Sequence, residues 1–337
     1  MVLISGRIWD TDRFVDGHIV VEDNIISEIE EDERSTYKNL IIPGIVDGHT
    51  HIADAGLVLE KKYGLEELVA PPHGLKHKYL NETSPETLLS TMRSYSDSLI
   101  ASGVSGFIDF RENGADGCRL LRKASRNAVI LGRPVSPEFD PNEIDEILTV
   151  ADGIGISSIS DMEDSYVEAV ADLVHRRKKI LALHTSERVR EDLETVLSLR
   201  PSFIVHMTQA TDDDMRKCAD NDIPIVVCAR SNLYFGFVPP LKRMYDSGAR
   251  IAVGTDNAMI SSADILDEFR TFREILIRQG GNASFALKSL LNEGRKLLYR
   301  DSVIGIRTGE KADLTVIPDL DDLPAPNGVK RVRYGPN

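Results

Sequence analysis

Pro43-Gly44-Ile45-Val46-Asp47-Gly48-His49-Thr50-His51 is an apolar run that ends in two histidines one residue apart. In a β-strand residues i and i+2 face the same side, so His49 and His51 would point together, and two converging imidazoles are the beginning of a metal site. Read alone, the pattern describes equally well a His-x-His on a surface turn or a pair of hydrogen-bonded core histidines. Its surroundings decide between these.

Downstream of the run, apolar stretches alternate with longer segments of helical period, the signature of repeated βα units and a parallel sheet. The stretches cover 41–51, 104–110, 128–131, 153–159, 180–184, 203–206, 223–228 and 250–255. Helix starts are marked by Ser84-Pro85-Glu86 and by Thr211 before three aspartates, and stops by Gly103, Gly248 and Asn221. Eight strands with intervening helices predict an α/β fold, a (β/α)8 TIM barrel over residues 42–302. Residues 1–41 read as short strands, and 311–317 and 329–334 return to strand character. The two chain termini, 1–41 and 303–337, are therefore expected to pair into a small β-sandwich domain beside the barrel, with a partly mobile tail after Asp321.

The 337-residue chain is 42% hydrophobic and 28% charged, an ordinary globular composition. Its net charge of −14 offers no basic field for a phosphate backbone, which argues against nucleic acid as a partner. Cys118, Cys218 and Cys228 are scattered, without a disulfide or zinc-ribbon spacing, which fits a reducing cytoplasm. No leader-like or membrane-spanning run is present, so neither secretion nor a membrane partner is expected.

Barrel active sites lie at the C-terminal ends of the strands. Four predicted strands end in metal-binding residue types: the first in His49 and His51, the fifth in His184, the sixth in His206, the eighth in Asp256. Imidazoles with one carboxylate suit zinc or iron better than calcium or magnesium, which prefer oxygen shells.

These residues in this order resemble the amidohydrolase superfamily of metal-dependent hydrolases. Ile4-Ser5-Gly6-Arg7-Ile8 and Gly309-Glu310-Lys311-Ala312-Asp313-Leu314 are similar to that family's flanking strands, so the likeness covers nearly the whole chain. His184-Thr185-Ser186-Glu187, Cys228-Ala229-Arg230-Ser231-Asn232 and Gly254-Thr255-Asp256-Asn257 resemble motifs of its cytosine, guanine and adenosine deaminase branch. The resemblance implies that His49, His51, His184 and Asp256 bind one divalent metal ion. It implies that His206 holds the attacking water or the substrate or is a further ligand, that Asp256 accepts a proton from water, and that Glu187 shuttles protons. A helix N-terminal acid facing solvent is the plain alternative for Glu187. Binuclear members carry a lysine or glutamate on the fourth strand; Gly153-Ile154-Gly155-Ile156-Ser157-Ser158-Ile159-Ser160 has neither, which implies a mononuclear site. The chain is also shorter than most deaminases of this branch.

Further substrate contacts are expected from His73 and His77 in the long loop after the first strand, from Arg111 and Glu112 after the second, and from Arg230 and Asn232 after the seventh. A surface ion pair is the alternative for Arg111 and Glu112, and a structural turn for Arg230 and Asn232. His18 and His175 read as structural, and Cys228 as a buried small hydrophobe. The expected activity is a mononuclear, metal-dependent aminohydrolase acting on a small amino-substituted heterocycle. The alternatives are amidase-type cleavage of a cyclic or linear C–N bond by the same site, or a non-catalytic metal-containing binding protein. Barrel hydrolases commonly assemble, so a homo-oligomer is compatible with the resemblance.

Overall fold

A computed structural model of the chain describes residues 1–32, 34–298, 305–317 and 332–334. Strands β1 (Val2–Asp10), β2 (Arg13–Glu22), β3 (Ile25–Glu31) and β4 (Leu40–Pro43) open the chain. The curled parallel sheet follows, as β5 (Ile45–His51), β6 (Val104–Arg111), β7 (Ala128–Gly132), β8 (Gly153–Ile156), β9 (Ile180–Thr185), β10 (Phe203–His206), β11 (Ile225–Val227), β12 (Ile251–Val253) and β13 (Asp256–Asn257). Strands β14 (Leu314–Ile317) and β15 (Val332–Tyr334) return to the N-terminal sheet. The expected tail after Asp321 falls largely outside the described residues, as do residues 303 and 304.

The six-stranded sheet runs β15-β14-β4-β1-β2-β3, so strands from both termini hydrogen-bond in one sheet. The first strands are much longer than the short runs expected from propensity. Val2–Asp10 and Arg13–Glu22 form one antiparallel hairpin in which Gly6 faces Gly17, and cross-strand pairing overrides the weak β-propensity of Ser5, Gly6 and Asp16.

The expected first barrel strand over 41–51 is in fact two elements. Leu40–Pro43 pairs with β1 and β14 in the small sheet, and Ile45–His51 enters the large one. The break falls at Gly44, where a Cβ would stand 2.4 Å from Asp313 Oδ1 and 2.6 Å from Ser105 Cβ. Only a residue without a side chain lets the chain pass there.

The nine-stranded sheet has the order β12-β11-β10-β9-β8-β7-β6-β5-β13, all pairs parallel. Its two edge strands, β12 and β13, are separated in the chain by Gly254 and Thr255 alone, so the curl brings its own edges together. Asp47 on β5 fastens that junction, accepting hydrogen bonds from Thr255 N (3.0 Å) and Thr255 Oγ1 (2.7 Å). The two-residue strand β13 was not expected from the sequence; it displaces Asp256 sideways from β12 to lie beside Thr50.

Alternation along the strands divides the core. Phe107, Ile130, Ile154, Leu181 and Ile204 pack with the surrounding helices, whereas Ile108, Phe110, Leu131, Ala182, Phe203, Val205, Val226 and Cys228 form a separate cluster. Helix Pro85–Ala101 begins as expected on Ser84, whose hydroxyl accepts from Thr87 N, and Thr211 closes a capping box on Asp212–Asp220. Among the described residues no helix is long and apolar enough to cross a membrane.

Helix Ile265–Arg278 supports the end of β11 through Glu268, which is fully buried and accepts the backbone N–H of Arg230 at 3.1 Å. Burial pushes this carboxyl up to about 8, with Arg230 opposing the shift. A raised folded-state value means that the stability linked to Glu268 is full below its ordinary value of 4.5 and is lost as pH rises through about 8. Glu268→Gln, which mimics the protonated form, is expected to flatten that decline by up to about 1.4 kcal/mol per pH unit. Urea unfolding midpoints across this range check it; an unchanged slope would show that the carboxyl is ionised in the folded protein.

Candidate active site

The pleat of β5 turns His49 and His51 to the same side, and both are buried. His184 comes from near the end of β9 and His206 from the last position of β10, while Asp256 opens β13. At two of these positions the strand does not end in extended backbone. His206 (φ +79°) and Asp256 (φ +63°) are left-handed, a conformation that costs a non-glycine residue on the order of 1–3 kcal/mol.

The five side chains converge. His184 Nε2 lies 3.2 Å from His49 Nε2 and 3.4 Å from His51 Nε2. Asp256 Oδ1 lies 3.4 Å from His49 Nε2 and 3.7 Å from His51 Nε2. The His206 ring stacks on His184 with centroids 5.3 Å apart, and its Nε2 is 3.6 Å from Glu187 Oε2.

Hydrogen bonding fixes which nitrogens are bare. His51 Nδ1 donates to the carbonyl of Phe110 (2.9 Å) and lies 2.9 Å from Glu112 Oε1, and His184 Nδ1 donates to the carbonyl of Ile156 (3.1 Å). A neutral imidazole that donates through Nδ1 has only a lone pair at Nε2. Two such lone pairs therefore face each other, and only a cation or a proton between them relieves the repulsion. Protonation is opposed: burial, then the charge of Lys76, pushes His51 down to about 3, burial lowers His49, and burial with its imidazole neighbours holds His184 well below the usual range. Asp256 is held well below the carboxylate range because His49, His206 and His51 outweigh its burial. Neutral imidazoles beside one ionised carboxylate make a donor set that fits a divalent metal ion, held by His49, His51, His184 and Asp256. Burial pushes the Cys228 thiol well up, so this neighbour of His206 and Asp256 does not offer a thiolate.

Around the ligands lies a buried support. Ser231 Oγ donates to Asp256 Oδ2 (2.5 Å), the Asn232 amide sits 3.1 Å from His206 Nδ1, and Thr50 and the Ile52 N–H bond Asp109. Glu112 is held well below the usual range: burial would raise it, but Lys76 (2.5 Å), His51 and Arg111 prevail. Lys76 is itself buried and also lies 3.6 Å from Asp54, which in turn accepts from Asn257 Nδ2 (2.8 Å).

A cavity of about 600 Å³ opens onto this cluster, lined by His51, His184, His206, Asp256 and Glu187, and beyond them by His73, Lys76, Arg133, Ser157 and Phe235. Glu187 is not a solvent-facing acid: it faces the cavity, and burial, with Asp256 adding, raises its carboxyl above the usual range against the opposing His206.

Of the expected substrate contacts, His73 and His206 line the cavity, and five others do not. Arg111 and Glu112 are buried behind His51, paired with each other and with Asp109 and Lys76, because charged groups at that depth need partners. His77 turns back to the carbonyl of Val69 (3.2 Å) and ties its own loop. Arg230 points to Ser262, and Asn232 is spent on His206. His18 bonds Ser5 and Tyr37, and His175 bonds the Leu199 carbonyl, both structural as expected. Sequence reasoning missed Lys76, Asp54 and Arg133; the one signal for Lys76 was its position between His73 and His77.

Residues 40–333 match the sequence profile of the amidohydrolase family. The chain belongs to that family. It is 35% identical to an uncharacterized protein of Methanocaldococcus jannaschii over 75% of this chain and 73% of that protein. It is 21% identical to the 5-methylthioadenosine/S-adenosylhomocysteine deaminase of Halothermothrix orenii, over 91% of this chain and 82% of that one. Among solved structures, an adenosine deaminase from Xanthomonas campestris with bound zinc shares the fold at a TM-score of 0.77 and 18% identity, covering 95% of this chain and 85% of that one. This amidohydrolase is a hydrolase acting on carbon–nitrogen bonds.

Glu112 stands 2.9 Å from His51 Nδ1, where it would orient that imidazole from outside the shell of a bound metal. Glu112→Gln is expected to weaken zinc binding by about 10–100-fold in chelator competition. An affinity within twofold of the parent would remove Glu112 from the metal's support.

Proposed function

We propose that the chain is a mononuclear, metal-dependent aminohydrolase that releases ammonia from a small amino-substituted heterocycle. The observation that carries the reading is Glu187: a buried carboxyl, raised in pKa, beside His206 on the wall of the same cavity as the bare imidazole nitrogens. A carboxyl whose protonated form is favoured by burial can both give and take a proton, which ring protonation and amine departure require of one group.

The ion, zinc or iron, would be held by His49, His51, His184 and Asp256, and supplies Lewis acidity that brings a water's pKa to about 7. Asp256, ionised, accepts the proton that this water loses on attack. Glu187 gives its proton to a ring nitrogen, takes up the proton that the attacking oxygen sheds as the carbonyl forms and passes it to the departing amine; the proton held on Asp256 then restores Glu187, so that water and the C–NH2 group become a carbonyl and ammonia. His206, fixed by Asn232, orients the water or the substrate. The deaminase names of distant relatives, the 5-methylthioadenosine/S-adenosylhomocysteine and 5'-deoxyadenosine deaminases, support an amino-heterocycle as substrate. The zinc of the structural relative supports the choice of metal. We take the curled sheet as a closed (β/α)8 barrel and the terminal strands as the flanking sandwich, in a cytoplasmic enzyme without nucleic-acid or membrane partners. The cavity lies within the range of small-molecule sites.

Ammonia release from a panel of purines, pyrimidines, pterins and aminotriazines by zinc-loaded protein tests the proposal. Glu187→Gln is expected to lower turnover by about 10²–10⁴-fold while zinc stays at one equivalent per chain. Turnover without ammonia would favour amide cleavage, no turnover on any compound would favour a binding protein, and two tightly held equivalents would overturn the mononuclear reading.

A further inference from the structure

Three cations, Lys76, Arg111 and Arg133, stand around the Glu112 carboxylate, and their pairing is unequal. Lys76 has Glu112 at 2.5 Å and Asp54 at 3.6 Å. Arg111 pairs with Glu112 and lies 3.7 Å from Asp109. Arg133 has one ion-pair contact, Glu112 Oε1 at 4.0 Å, an oxygen already approached by Lys76 and by His51 Nδ1 at 2.9 Å, and it feels a second carboxylate, Asp161, from farther off on the same cavity wall. Among the described residues the Arg133 guanidinium makes no hydrogen bond, although the side chain is only 11% exposed.

What exposure it has is to the cavity, which it lines with Lys76, His51 and Glu187. Its backbone is pinned, the N–H donating to the Arg111 carbonyl (2.8 Å) and the carbonyl accepting from Gly114 N (3.2 Å), so the side chain leaves from a fixed point just after β7. One strand over, just after β8, Ser157 lines the same cavity; it is 8% exposed, and its hydroxyl has no hydrogen bond among the described residues. A largely buried guanidinium whose N–H groups make no hydrogen bond is costly even beside carboxylates, and a ligand that supplies acceptors offsets the cost.

We infer that Arg133 and Ser157 form a receptor for a carboxylate of the substrate, so that the heterocycle processed here is an anionic, carboxylate-bearing one rather than an uncharged base or nucleoside. A planar guanidinium fork matches a carboxylate in bidentate geometry, and one cation with one hydroxyl suits a single negative charge better than a phosphate dianion. This names the substrate class of the aminohydrolase site and rests on that reading for the amino group only. The pocket itself is a statement about binding. With the carboxylate on Arg133, the heterocycle spans the cavity toward Glu187 and Asp256, and it enters against a net charge of −14 because Arg133 acts at short range inside a desolvated wall.

The test is calorimetric titration of zinc-loaded protein carrying Glu187→Gln, so that ligands persist, with two matched pairs: cytosine and cytosine-5-carboxylate, pterin and pterin-6-carboxylate. In at least one pair the carboxylate member is expected to bind about tenfold or more tightly than its neutral partner. Adding Arg133→Met is expected to collapse that ratio to within about twofold, and Arg133→Lys to restore part of it, as expected for a charge contact that has lost its fork geometry. Melting curves and zinc content of both variants establish that they fold. A ratio near one in the parent, no binding of either carboxylate, or a ratio that survives Arg133→Met would overturn the inference, the last by placing the carboxylate on the metal or Lys76. Ammonia release by the unmutated enzyme separates the two readings. Carboxylate preference without ammonia sinks the chemistry and leaves the pocket, and ammonia from neutral members without preference sinks the pocket and leaves the chemistry.

Discussion

Two imidazole nitrogens that both present lone pairs do not hold themselves 3.4 Å apart, yet His51 and His184 stand so. The carbonyls of Phe110 and Ile156 impose this, because each claims the Nδ1 proton of one ring and leaves Nε2 bare. Those carbonyls belong to β6 and β8, the parallel strands next to the ones that carry the two histidines. The sheet therefore sets not only where the rings stand but which of their atoms can bind a cation. Burial completes the constraint by depressing the proton affinity of the same rings, which favours a metal ion over a proton as the species between them.

The rest of the site serves to hold geometry that ordinary strands do not supply. Left-handed backbone at His206 and Asp256 swings both side chains away from the direction that extended residues would take, and Ser186 (φ +49°) turns the chain before Glu187. Such strain persists only where the surroundings over-determine it. Here Asn232 fixes His206, Ser231 fixes Asp256, and Asp47 ties Thr255 to β5 beside it. The motifs after β11 and β12 thus act together: one supplies hydroxyl and amide, the other the carboxylate they position.

The convergence of these side chains was legible in the sequence because it obeys strand periodicity: His49 and His51 two apart, and His184, His206 and Asp256 at the ends of apolar runs. The parallel sheet was legible for the same reason. What was not legible depends on contacts between residues far apart in the chain. Gly44 divides the first run because Asp313 comes against it, and no local pattern announces a neighbour some 270 positions away. The burial of Lys76, Glu112 and Asp54 has no sequence signal, since loops have no period from which burial can be read. Arg111, Arg230 and Asn232 follow strand ends, where substrate contacts are expected, and the structure spends them on other protein groups. Arg133, just past the end of a short strand with no motif, lines the cavity without a hydrogen bond to its guanidinium among the described residues.

The loop after β5 is accordingly part of the metal site's electrostatics. Helix Leu75–Glu82 inserts Lys76 between Glu112 and Asp54, and the charge of Lys76 is the largest influence on His51 after burial itself, pulling its proton affinity down while Glu112 pushes it up. The same lysine also lines the cavity that opens onto the histidine cluster. In a barrel, such loops are usually regarded as free to vary with the substrate while the strands keep the chemistry. Here that separation fails: a change in the loop that removed Lys76 would leave Glu112 with a different balance of charge, alter the basicity of a ligand imidazole, and reshape the wall beside Arg133 at once. One buried ion pair, Lys76 with Glu112, thus joins the cavity wall to the surroundings of His51, so a substitution in the loop acts on both at once.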